Sequence, residues 1–241
     1  MNYLLLICTD EVPDPAVSEV MQREVMPWVE EMNGRGVRLL GQPLVEREAA
    51  FNVRVRDGKT LVTDGPYAES KEWVGGFDIL DCADLDEAIE IAAKHPVSWF
   101  HQIEIRPFWD GFDLGEAGRA YAAGDNSGDP AYLMLMFVDG IPGAPGEDAA
   151  VLRDGLAWAA DLQARGKQIL GHPLQHKDTA TTVRVRDGET LISDGPFVET
   201  HEFIAGLDLV RCASREEAIE IAAQHPLAKV HTVEVRQIWS E

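Results

Sequence analysis

The chain states one pattern twice. Val53-Arg54-Val55-Arg56-Asp57-Gly58 returns 130 residues later as Val183-Arg184-Val185-Arg186-Asp187-Gly188. Ala88-Ile89-Glu90-Ile91-Ala92-Ala93 returns as Ala218-Ile219-Glu220-Ile221-Ala222-Ala223. From Gly36 onward the copies run at this offset without a gap. A repeat of this length is a duplicated domain and not a solenoid unit of a few dozen residues. The first copy occupies residues 1–110 and the second 131–241. Between them lies a linker, residues 111–130, which contains the cluster Gly124-Asp125-Asn126-Ser127-Gly128-Asp129-Pro130.

At 241 residues, each copy is long enough to bury a core of its own. The net charge of −21 repels phosphate backbones and anionic lipid, so neither nucleic acid nor a membrane surface is expected as a partner. Cys8, Cys82 and Cys212 lie in apolar, strand-like runs with no C-x-x-C spacing, and read as buried thiols in a reducing compartment. The apolar start Tyr3–Cys8 has no basic residues before it and has a counterpart at Tyr132–Met136, so it reads as a first strand and not a targeting peptide. A cytoplasmic protein is expected.

Element order follows from periodicity. Tyr3–Cys8 is a continuous apolar run of strand length. Val17, Met21, Val25, Trp28 and Met32 recur at helical steps, ending near Gly34 and Gly36. Val37–Gly41 is a second strand, and Asp57-Gly58 is a hairpin turn between two short strands. Trp73–Asp81 is another strand. Asp84-Leu85-Asp86-Glu87 forms a capping box for a helix that stops before Pro96, and His101–Arg106 closes the copy as a strand. The fold expected is α+β: two tandem ferredoxin-like domains, each βαββαβ with an inserted hairpin. Such a half leaves one sheet face bare, so an intrachain pseudo-dimer is expected, with further homo-oligomerisation open.

At Asp64-Gly65-Pro66-Tyr67-Ala68-Glu69-Ser70-Lys71-Glu72, and again at Asp194-Gly195-Pro196-Phe197-Val198-Glu199-Thr200-His201-Glu202, the chain resembles the YCII-related, DGPF-domain family. The resemblance covers both copies and implies a dimeric α+β barrel type of ferredoxin-like fold. Some YCII-like relatives look like small-molecule enzymes built on a His–Asp pair, whereas some DGPF relatives are encoded beside extracytoplasmic-function sigma factors, which implies a regulatory role. This chain departs from the enzymatic relatives. The helix position of their histidine has none in Val17–Met32 or Ala149–Ala164. The position of their aspartate, before a proline, holds His95 and His225.

The residues themselves leave alternatives. Arg54 and Arg56 share one strand face, as do Arg184 and Arg186; they can clamp a carboxylate or phosphate, or pair internally with Asp64, Glu69 and Glu72 or with Asp194, Glu199 and Glu202. The pairing is favoured. The Asp-Gly-Pro stretches, Asp64-Gly65-Pro66 and Asp194-Gly195-Pro196, followed by Tyr67 and Phe197, either shape a turn or aim a carboxylate into a cleft, and the turn is favoured. His101 and His231 are matched at the start of the last strand and are the best histidine candidates for a cleft. His172 and His176 are four apart, but Pro173 argues against a helix between them, so no metal is expected. No P-loop, G-x-G-x-x-G or G-x-S-x-G stands in the chain, so no nucleotide cofactor is expected. Two readings compete: a non-catalytic regulatory or interaction protein with an acidic surface, and a small-molecule enzyme or binder with an anionic ligand on the strand arginines and the Asp-Gly-Pro loop. The catalytic residues stay unassigned, and the first reading is preferred.

Overall fold

The computed structural model describes residues 1–9, 15–67, 73–124, 128–139, 147–197 and 202–239. The first copy lays down β1 (Asn2–Thr9), α1 (Pro15–Gly34), β2 (Arg38–Pro43), β3 (Phe51–Arg56), β4 (Lys59–Asp64), β5 (Trp73–Asp81), α2 (Leu85–Lys94) and β6 (Gln102–Pro107). After α3 (Gly115–Ala122), the second copy repeats the order with β7 (Ala131–Asp139), α4 (Glu147–Ala164), β8 (Gln168–Pro173), β9 (Thr181–Arg186), β10 (Glu189–Asp194), β11 (Glu202–Arg211), α5 (Arg215–Gln224) and β12 (Thr232–Gln237). The strand and helix positions expected from periodicity are all present, with ends shifted by a residue or two.

Two antiparallel six-stranded sheets result, ordered β10-β9-β6-β1-β5-β2 and β4-β3-β12-β7-β11-β8. The core of the first, β6-β1-β5-β2, is the ferredoxin-like order, as is β12-β7-β11-β8 in the second. The hairpins differ from the colinear picture of one repeat, one domain. The β3–β4 hairpin extends the sheet of the second copy: Val53 stands opposite Val233 and Phe51 opposite Val235. The β9–β10 hairpin extends the sheet of the first copy, with Val183 opposite Ile103. The compact units are accordingly interleaved. One comprises Met1–Pro43, Ser70–Phe112 and Gln175–Glu199, the other Leu44–Glu69, Asp113–Leu174 and Thr200–Glu241. The physical reason is edge satisfaction and burial together. A ferredoxin-like sheet ends on its fourth strand with unpaired amides. The hairpin pairs that edge while placing apolar side chains under the helices. Val183 is fully buried in one core with Leu5, Trp28, Ile91, Ile103 and Ile105. Phe51 and Val53 are buried in the other with Met134, Trp158, Ile221, Val233 and Val235. Full burial of one such side chain contributes about 1.5–3 kcal/mol.

Turns obey local chemistry. Asp57 and Gly58 have φ of 51° and 72°, as do Asp187 and Gly188 at 52° and 79°, the left-handed pair that a two-residue hairpin needs. Both capping boxes form: Asp84 accepts from the Glu87 amide at 3.0 Å, and Ser214 from the Glu217 amide at 3.3 Å. The reciprocal bonds run from the Ala83 amide to Glu87 and from the Ala213 amide to Glu217. Ser214→Ala is expected to lower stability by about 1 kcal/mol, read as a shifted urea midpoint at constant slope. The stretch between the copies is partly structured. α3 packs on β8, with Leu114, Gly118 and Tyr121 buried and a β-carbon at Gly118 only 3.4 Å from the Ile169 carbonyl oxygen. Among the described residues no helix is long and apolar enough to cross a membrane.

Candidate functional site

The Asp-Gly-Pro-aromatic stretch leaves the hairpin's second strand and turns back over the last strand of the sheet. In the second unit, Gly65 takes φ of 91°, its amide donates to the Ala50 carbonyl at 2.8 Å, and its carbonyl accepts from Asn52 Nδ2 at 2.7 Å. In the first unit, Gly195 has φ of 99°, donates to Ala180 at 2.9 Å and accepts from Thr182 Oγ1 at 2.9 Å. A side chain at either glycine would be strained, so the motif's glycine has a backbone reason.

The next contact was not legible in the sequence. The Tyr67 amide donates to Glu234 Oε2 at 2.7 Å, and the Phe197 amide to Glu104 Oε2 at 3.0 Å. Both glutamates are buried in the middle of a last strand, two residues before a buried arginine. Arg106 Nη1 donates to Glu104 Oε1 at 3.2 Å, and Arg106 Nη2 donates to the Gln175 carbonyl at 2.7 Å. Arg236 pairs with Glu234 at 3.5 Å and donates to the Val45 carbonyl at 2.9 Å. Burial pushes the Glu234 carboxyl up and the Arg236 guanidinium down, and each partner pulls the other back toward its charged form. The motif loop of one sequence copy is thus clasped by a buried Glu-x-Arg of the other, within one compact unit. The signal was available: Glu-x-Arg alternates with Ile103 and Ile105, or Val233 and Val235, but a charged alternation in a strand ordinarily reads as a wet face.

Arg54 is occupied internally. Its Nε donates to Thr232 Oγ1, its Nη2 donates to the Tyr67 hydroxyl at 2.9 Å and lies 3.6 Å from Glu202 Oε1, and its guanidinium stands 5.5 Å from the Tyr67 ring centre. Tyr67 in turn packs on Phe137 at 4.7 Å. Arg184 donates from Nε to the His101 carbonyl at 3.4 Å, and Phe197 offers it no hydroxyl. Arg56 donates to the carbonyls of Lys229 and Val230. Asp64 pairs with Arg215, whose guanidinium also lies 4.7 Å from the Phe51 ring centre. Asp194 and Pro107 line a cleft of the first unit. His231 meets Asp139 at 3.1 Å; burial lowers its pKa while Asp139 and Glu202 raise it. His101 lies 3.4 Å from Thr9 Oγ1. Glu69, Glu72 and Glu199 lie outside the described residues, as do Lys71 and His201. Pro66 and Pro196 sit between the anchored glycine and the clasped aromatic amide and shape that turn.

Each unit also encloses a histidine–aspartate pair. His95 Nε2 is 4.0 Å from Asp78 Oδ2, and His225 Nε2 is 3.9 Å from Asp208 Oδ2. The histidines accept the amides of Val97 and Leu227 through Nδ1, and stand edge-on to Trp28 and Trp158 at 4.4 and 4.6 Å. Asp78 accepts from Arg38 at 2.6 Å, Asp208 from Gln168 at 2.7 Å. Burial pushes Asp78 up to about 6 and Asp208 up to about 7, and lowers His95 to about 3 and His225 to about 4. Both pairs are sealed from solvent under the helices, with every member less than a tenth exposed. They tie the strand to the helix C-terminus. Gly41 and Gly171 make room for them, since a β-carbon at either would collide with the neighbouring aspartate. The cysteine thiols are buried, and burial pushes Cys82 and Cys212 up to about 12, far from a nucleophile's range.

A solved structure described as a putative chlorite dismutase aligns over 99% of this chain and 94% of its own, with a TM-score of 0.43 and 8% identity. An uncharacterized protein of Rhizobium meliloti (strain 1021) is 38% identical over 96 residues, which are 38% of this chain and 77% of that protein. The YCII-related domain model matches residues 1–110 and again 132–241. The chain therefore belongs to the YCII-related domain family and carries that domain twice.

Proposed function

We propose that the chain is a non-catalytic binding protein that offers an acidic surface to a cationic partner, in a regulatory setting such as engagement of an extracytoplasmic-function sigma factor. One observation carries this reading: the polar groups of the motif hold the motif itself. Arg54 bonds Thr232, Tyr67 and Glu202, and the buried glutamates clasp the Tyr67 and Phe197 amides. The buried His–Asp pairs have imidazoles that burial keeps neutral, which suits a scaffold and not a general base. The net charge of −21 supplies long-range attraction for a basic surface. The test is titration of the full chain against labelled extracytoplasmic-function sigma factors of the same genome. A complex whose affinity falls as salt rises above about 0.1 M is expected. Absence of any complex at low salt contradicts the reading.

A second reading, a pocket for a small anion, draws on Arg184, which lacks the phenol that its counterpart Arg54 engages. Phosphate that raises the melting temperature of the native chain, but not of Arg184→Ala, would favour it over the first.

A further inference from the structure

The two copies of the motif's aspartate have different fates, and the difference outlines a ligand. In the second unit the Asp64 carboxylate is paired with the Arg215 guanidinium, which also lies over the Phe51 ring at 4.7 Å. Arg215 is the first residue of α5, and Phe51 the first of β3. At the repeat offset the same three places in the first unit hold Asp194, Leu85 and Thr181. The carboxylate is retained, while the cation and its aromatic platform are both replaced by smaller side chains. Where the Arg215 side chain lies in one unit, the other has a cleft of about 310 Å³, and Asp194, Leu85 and Thr181 all line it. Tyr3, Pro107 and Asp178 complete the parts that matter here. The cleft wall is firm. Gln175, beside Pro107, is held by the buried Arg106 at 2.7 Å, by the Pro107 carbonyl at 2.9 Å and by the Phe108 carbonyl at 3.1 Å.

We propose that this cleft binds an alkylguanidinium, with the cation on Asp194 and the aliphatic stem on Leu85, Pro107 and Tyr3. The proposal rests on the reading of the chain as a binder of cationic groups and gives that reading a site. The chain itself supplies the precedent, because an arginine side chain is an alkylguanidinium and Arg215 occupies the twin site in cis. The volume suits one small molecule. Asp178 adds a second carboxylate at the rim, where the first copy has Glu48, and is itself 3.1 Å from His176. A planar guanidinium can meet a carboxylate through two parallel N–H bonds, which an ammonium cannot do.

The test uses the full chain, with butylguanidinium as probe, the neutral isostere butylurea as control, and a five-residue glycine peptide with a central arginine as a second probe, all followed by calorimetric titration and amide shifts. One butylguanidinium per chain is expected, with butylurea weaker by at least about tenfold, the worth of one charge-assisted bond. Asp194→Asn should weaken the probe by a similar factor. Leu85→Arg, which copies the natural twin, should abolish binding by filling the cleft. Arg215→Leu with Phe51→Thr should raise the stoichiometry from one to two. The peptide arm distinguishes the source: binding tighter than butylguanidinium assigns an arginine of a protein segment, and equal or weaker binding assigns a free small molecule. Equal binding of butylurea, or binding that survives Leu85→Arg with the fold intact by amide shifts, overturns the proposal. If the probe fails while sigma factors still bind, the cleft is excluded and the acidic-surface reading stands. If the probe binds and sigma factors do not, that reading fails and the cleft stands.

Discussion

Glu234→Ala is expected to cost about 3–5 kcal/mol of unfolding free energy, the penalty for leaving one member of a buried ion pair without the other. Glu234 faces two demands at once: it balances the buried Arg236 and accepts the Tyr67 amide at 2.7 Å. Removing it strands a guanidinium in the core and frees the motif loop. Glu104→Ala should act likewise on Arg106 and Phe197 in the first unit. The measurement is urea unfolding of each variant. A double replacement of Glu234 and Arg236 by Leu should recover much of the loss in stability, because a well-packed apolar pair escapes desolvation, but it should not recover the anchored loop. Loss of less than about 1 kcal/mol in Glu234→Ala would mean that the pair is wet and the clasp is weak.

Asp208→Asn is expected to stabilise the chain above neutral pH. The folded carboxyl is raised from 3.8 to about 7 by burial. Below pH 3.8 both folded and unfolded chains hold the proton, and the shift has no effect. As pH rises from there, the unfolded chain releases a proton that the folded one keeps, so stability falls until about pH 7 and stays reduced beyond it. A shift of about three units corresponds to about 4 kcal/mol as an upper bound, and Asn removes the loss while its Oδ1 still accepts from Gln168. His225, lowered to about 4, has the opposite slope: its contribution is lost as pH falls from 6.5. In the native chain the two slopes oppose each other between about pH 4 and 6.5. Asp208→Asn removes the falling slope of this pair and leaves that of His225, so the stability the variant gains over the native chain should grow with pH across that window and stay high above it. Unfolding free energy measured from pH 4 to 9 checks both parts. A variant less stable than the native chain at pH 8 would show that Asp208 is ionised and stabilising there.

Periodicity located nearly every strand and helix, because apolar alternation and capping residues are local. The Asp57-Gly58 turn was legible for the same reason. The destination of its hairpin was not. Phe51 and Val53 need only a buried edge, and the last strands of both copies carry nearly the same residues, Ile-Glu-Ile-Arg against Val-Glu-Val-Arg. Nothing local distinguishes the edge in the same copy from the edge in the other. The candidate site was half legible. The motif and its arginines stood out by repetition, and Gly65 and Gly195 by their turn chemistry. The clasping glutamates did not, since an acid alternating with isoleucine in a strand looks solvated until the far face proves buried. The His–Asp pairs were hidden differently. In the sequence His95 and His225 stand out only as replacements before a proline, while Asp78 and Asp208 sit in a strand whose helix-covered face gives no sign in sequence of a polar partner.

The repeated Asp-Gly-Pro-aromatic motif is a structural clasp, closed by a buried glutamate of the other sequence copy. The most direct measurement is hydrogen exchange at the amides of Tyr67 and Phe197. Slow exchange at both is predicted, with protection at Tyr67 lost in Glu234→Ala, which removes the acceptor, while Phe197 stays protected. Rapid exchange at both amides in the native chain would contradict the clasp.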